Sequence, residues 1–168
     1  RRGLVATAGA ATPSVEDAAA AVESLYADGL EPCGRLILQR VRERLVAALA
    51  RRAGQPRGEV QAPFVDASTL RGACRAIPAA EVQPVHDRQG EYRVLLEGRS
   101  ASWVDVNSPC DRYCAGMWKA AAEYFSGLHC QERRLPNGRY ACAVELVRRN
   151  LPFFEGRSLG EMCHIVQL

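Results

Sequence analysis

Four side chains with an affinity for soft metal ions fall near one another in this sequence: Cys110 and Cys114, four residues apart, and the adjacent His129 and Cys130. Thiolate and imidazole are the ligands of a tetrahedral zinc site, so the set invites that reading. The spacing argues against it. A structural site takes a close pair of ligands from one turn, whereas a helix-length segment separates Cys110 from His129, roughly 20 Å at 1.5 Å per residue. Packed or solvent-facing thiols are the expected state, with Cys114 and Cys110 assigned to packing, and no metal or other cofactor is expected.

Thiolate catalysis needs a cysteine beside a base, and Cys163 with His86, or Cys130 with His129, are the candidate pairs. Neighbours on an extended loop do not face each other, and Cys163 lies among Met162 and Ile165 on an apolar helix face, so packing is the better account. Asp105, Asn107 and Asp111 superficially suggest a calcium loop. Position six of such a loop would be Cys110 in place of glycine and position twelve Gly116 in place of glutamate, so the ligand set fails. Neither glycine-rich phosphate motif, no nucleophile elbow and no H-E-x-x-H zinc motif occurs. The chain is therefore read as noncatalytic.

Arginine remains. The sequence has 22 basic residues, of which only Lys119 is lysine, against 19 acidic ones, a net charge of +3. A GC-rich genome alone would produce that skew, but the distribution is uneven. Residues 31–57 carry seven Arg and two acids, and residues 131–157 six Arg and three acids. The first face holds Arg40, Arg44 and Arg51. In the second, Arg133, Arg134, Arg139, Arg148, Arg149 and Arg157 are interleaved with Phe153 and Phe154, a combination found on nucleic-acid surfaces and at protein interfaces. These eleven residues form the expected interaction surface.

Positioning them requires elements, and the periodicities supply these. A chain of 168 residues with 48% hydrophobic and 24% charged residues is an ordinary globular composition, and no apolar run approaches the roughly 18 residues of a membrane span. Ser14 to Glu16 opens a first helix bearing Ala18, Ala19, Val22, Leu25 and Tyr26 on one face, and Gly29 follows its end. Pro32 begins a second helix with Leu38, Val41, Leu45, Ala48 and Leu49 as its stripe, closed by Gly54. Asp66 or Ser68 caps a short third helix that Pro78 ends. Val82–Val85 and the alternation Tyr92, Val94, Leu96 predict a hairpin, and Trp103, Val104 and Val106 predict a third strand.

Ser108 as N-cap, Pro109 and Asp111 predict a central helix reaching Gly127, with Tyr113, Cys114, Met117, Trp118, Ala121 and Phe125 inward. A helix over Tyr140–Arg149 turns Ala141, Val144 and Val147 inward. Ser158 with Glu161 is a capping box for a last helix.

The expected fold is α+β and helix-dominated, about six helices with a small antiparallel sheet of about three short strands. Residues 1–13 read as a flexible or processed segment, 14–54 as a helical hairpin, and 64–168 as an α+β globular part packed with the hairpin as one domain. Seven cysteines, an odd number, argue for a reducing intracellular setting. The Arg-rich start without early acids also fits an organellar chain after removal of a targeting segment.

The function expected first is a noncatalytic binding module or accessory subunit of a larger assembly, with a protein partner. The alternative is a nucleic-acid-binding domain of winged-helix-like outline, carried by the helices and hairpin of Asp66–Leu96, using the Arg-rich faces. Tyr140–Leu168 has a helix-turn-helix outline, but its last helix offers only Gln167 to read base edges.

Overall fold

Apolar spacing carries most of this chain into regular structure. The computed structural model describes residues 9–86, 88–127 and 134–168. Helices form at α1 (Val15–Ala27), α2 (Gly34–Ala53), α3 (Ala67–Arg75), α4 (Ala115–Gly127), α5 (Arg139–Arg149) and α6 (Leu159–Gln167), and strands at β1 (Ala80–Pro84) and β2 (Tyr92–Leu96). The fold is thus α+β and helix-dominated. Contacts divide it into two compact units, one of Arg1–Ala27 with Glu31–Ala101, the other of Asp28–Leu30 with Ser102–Leu168.

In the first unit α1, α2 and α3 pack against one another and against the strand pair. Ser14 and Asp17 exchange bonds at the start of α1, where Asp17 N–H donates to Ser14 Oγ at 3.1 Å and Ser14 N–H to Asp17 Oδ2 at 3.2 Å, a capping box with aspartate in the glutamate place. Ala18, Ala21, Val22 and Leu25 of α1, Ile37 and Val41 of α2, Leu70 and Cys74 of α3 and Val94 of β2 are buried. The buried face of α2 is rotated from the expected one: Ile37, Ala47 and Ala50 are inside with Val41, while Leu49 is exposed. Gly34, not Pro32, begins that helix, and a Cβ at Gly34 would collide with the ring of Tyr92.

Strands β1 and β2 pair antiparallel with Val82 opposite Val94. The outer edge of β2 is closed: Val94 N–H donates to Pro32 O at 3.0 Å and Leu96 N–H to the Tyr26 hydroxyl at 3.2 Å. Cys33, between α1 and α2, forms an antiparallel bridge with Arg93.

The second unit corrects three expectations. Trp103, Val104 and Val106 form no strand, because their backbone is engaged otherwise: Val104 N–H donates to Gly29 O at 2.9 Å, and Asn107 N–H to Asp105 Oδ1 at 3.0 Å in an Asx turn. The central helix starts at Ala115, not at Pro109. Ser108 Oγ and Asp111 Oδ1 each accept an N–H two residues on, from Cys110 and Tyr113, at 3.2 and 2.9 Å. They make two successive turns rather than one cap, leaving Cys110 and Cys114 exposed. Helix α5 buries Cys142, Ala143 and Leu146, while Val144 and Val147 point outward, 38% and 47% exposed. Cys142 and Ala143 are small, which lets α6 approach this face closely, and valine would hold it away.

Other expectations stand. Asp66 caps α3 through Thr69 N–H, and Ser158 with Glu161 forms the full capping box of α6. Gly160, in the first turn of α6, donates its N–H to Asp28 O at 2.8 Å. A Cβ there would land on the Gly29 carbonyl, so only glycine fits this approach.

Candidate nucleic-acid interface

The first basic face is built on α2, twenty residues long, whose Leu, Ala and Arg content favours helix throughout. It ends at Gly54, which takes the left-handed φ of 62° and lets Gln55 N–H return to Ala50 O at 3.0 Å. Arg44, Arg51 and Arg52 are exposed on the second half of this helix, and Arg57 on the short 3-10 turn Arg57–Glu59 that packs beside it. None of these four side chains has an ion pair or hydrogen bond among the described residues. From Arg44 to Arg57 there are four arginines and no acid. Arg40, one turn earlier, is half-buried.

The second basic face is largely consumed by the fold. Arg139 donates to Val106 O at 3.2 Å and Asn107 Oδ1 at 2.8 Å, and also to Gln167, so it ties the 105–108 turns to the end of α6. Arg148 grips Glu145 with two bonds of 2.7 and 2.8 Å, and Arg149 adds a third at 3.0 Å. Those two guanidinium groups, Arg148 foremost, push the Glu145 carboxyl down to about 2. Arg157 pairs with Glu161 at 3.0 Å and lies 5.3 Å over the Tyr113 ring. Arg134 is exposed, and its carbonyl accepts from Arg149. Arg133 lies outside the described residues.

The aromatic pair is not the open platform its sequence suggests. Phe154 is only 8% exposed, and Phe153 is half-buried with its ring 5.8 Å from Tyr124 and 4.6 Å from Phe154. It occupies the break after α5 because Pro152 opens a 3-10 turn there.

Among the candidate metal ligands, Cys110 and Cys114 are exposed, while His129 and Cys130 lie outside the described residues. No group of three or more His, Cys, Asp or Glu poised for a metal occurs among the described residues. Burial pushes the thiols of Cys33, Cys74 and Cys142 up, which keeps them protonated at neutral pH. Asp105, Asn107 and Asp111 all hold turns or side chains in place; Asp111 Oδ2 also accepts from Trp118 Nε1 at 2.8 Å.

His164, which no motif singles out, is 1% exposed. Its Nε2 stands 2.9 Å from Ser108 O and its Nδ1 2.8 Å from the Tyr113 hydroxyl. A carbonyl only accepts, so Nε2 carries a proton; the Tyr113 hydroxyl that bonds Nδ1 also lies 3.2 Å from Glu161 O. The imidazole is a polar rivet between α6 and the turns before α4. Its position beside Cys163 and Ile165 was the only available signal, and periodicity does not tell a buried polar residue from an exposed one.

No helix among the described residues is long and apolar enough to cross a membrane. No curated protein and no solved structure matches the chain. Residues 131–168, the segment carrying α5, the Pro152–Phe154 turn and α6, match the family described as the OST-HTH Associated domain.

Proposed function

We propose that this chain is a noncatalytic, nucleic-acid-binding part of a larger protein, and that its ligand is single-stranded RNA. The observation that carries the proposal is the match of residues 131–168 to a domain whose description sets it beside a helix-turn-helix. The first unit supports the same reading. Helix α1, the bridge residue Cys33, helices α2 and α3, and the hairpin β1–β2 follow one another in the order of a winged helix, with Cys33 paired to β2 as the short first strand of that arrangement would be.

A protein partner ranks first on sequence alone; the family match and this element order favour the nucleic-acid alternative instead. Helix α6 is an unsuitable reading head, since Leu159, Gly160 and Met162 to Ile165 are all buried. Affinity then comes from phosphate contacts, which are sequence-tolerant and salt-sensitive. Protein contact keeps one specific support, the outward Val144 and Val147 on α5.

The test is fluorescence anisotropy of the purified chain with labelled 20-nucleotide single-stranded RNA. Binding in roughly the micromolar range that weakens as salt rises is expected. Absence of binding at low salt overturns the reading.

A further inference from the structure

A winged helix ordinarily places its third helix against the nucleic acid, and α3 is poorly equipped for that. The carboxylate of Asp66 stands at its N-terminus, where it accepts from Thr69 N–H at 2.8 Å and from the Thr69 hydroxyl at 2.9 Å, and from the Ser68 hydroxyl as well. The exposed hydroxyls of the first turn are thus spent on an anion that repels phosphate. Arg71 is half-buried with its guanidinium 5.1 Å over the Tyr92 ring. Arg75 alone is left exposed and unengaged among the described residues of α3.

We infer that the RNA backbone is held instead by the second half of α2 and the turn after it, through Arg44, Arg51, Arg52 and Arg57. This rests on the RNA-binding reading above and locates its surface. Arg44 and Arg51 are seven residues apart, hence on one helix face and about 10 Å apart along the axis, with Arg52 on the flank. Arg57 joins them because the Arg57–Glu59 turn packs on α2. Favourable placement at a helix C-terminus explains Arg51 and Arg52 without any ligand. It does not explain Arg44, two turns earlier, or Arg57, outside the helix. Four unpaired guanidinium groups with no intervening acid leave local charge that the fold does not neutralise, and a flexible polyphosphate strand neutralises it. The contrast with Arg139, Arg148, Arg149 and Arg157, each bound to protein oxygens, separates a ligand surface from a structural one.

Anisotropy titrations at low salt with the same RNA, a DNA single strand and an RNA duplex test this on the whole chain. The variant carrying Arg44→Gln, Arg51→Gln, Arg52→Gln and Arg57→Gln is expected to bind single-stranded RNA roughly tenfold or more weakly. The corresponding Arg→Lys variant keeps most of the binding, and all variants keep the wild-type thermal unfolding curve. Arg134→Gln with Arg148→Gln is expected to stay within about twofold of wild type, since Arg148 is engaged by Glu145. Wild-type binding that survives the α2 substitutions, or a loss that follows Arg134 and Arg148 or Arg75→Gln instead, overturns the location while the RNA reading stands. Preference for the duplex or for the DNA strand overturns the choice of ligand, and a wild-type chain that binds none of the three overturns both.

Discussion

At the scale of single residues, the second unit depends on polar groups that are satisfied inside it. The Tyr113 hydroxyl bonds His164 Nδ1, and His164 Nε2 donates to Ser108 O, so both ring nitrogens of this buried histidine have a partner. Tyr113→Phe removes one hydroxyl and leaves His164 Nδ1 without its partner. A loss of about 1–3 kcal/mol in urea unfolding is expected, whereas a change under a few tenths would show that the bond contributes nothing. Glu145 gives a pH-dependent counterpart. Its folded value of about 2 lies below its ordinary 4.5, so the stabilisation from Arg148 and Arg149 is present above about 4.5 and is lost as pH falls toward 2. The stability difference between wild type and Glu145→Gln should therefore be full at pH 6 and shrink through that window. Because Arg148 is 74% exposed, the difference is small even at its largest.

Among the elements, local chemistry was legible and long-range packing was not. The α6 capping box, the α3 cap at Asp66 and the α2 stop at Gly54 are short-range events, readable because the partners lie within a few residues. The start of α4 is not fixed by local pattern for a related reason. Ser108 and Asp111 are side chains that accept from nearby backbone N–H groups, and the same acceptors build a turn two residues on as readily as a cap three on. The face of α5 was ambiguous because it carries two stripes, Val144 with Val147 and Cys142 with Ala143 and Leu146. Only contact with α6 selects the smaller one. Two substitutions separate these faces. Leu146→Ala should cost about 2–5 kcal/mol, and Val147→Ser no more than about 0.5 kcal/mol, by chemical denaturation. The reverse order would place the valines inside.

Over the whole molecule, the two arginine-rich segments looked equivalent as sequence, since a count of charges says nothing about their partners. The fold distinguishes them: Arg139, Arg148, Arg149 and Arg157 meet acceptors from turns and helices within their unit, while Arg44, Arg51, Arg52 and Arg57 meet none among the described residues. Phe153 and Phe154 likewise looked available and serve largely as packing. The periodicities suggest a winged-helix-like outline only over Asp66–Leu96; the bridge between Cys33 and Arg93, which ties the segment between α1 and α2 to the same hairpin, is a single residue pair and leaves no pattern to read.

If α2 and its following turn hold the phosphates of single-stranded RNA, as proposed, the salt dependence of binding changes when their arginines are removed. Each phosphate contact on a single strand contributes about 0.7 to the slope of log K against log salt, so replacing all four arginines by glutamine should make the wild-type slope shallower by about 3. A slope unchanged by that substitution, with wild-type affinity retained, would mean that α2 does not hold the phosphates.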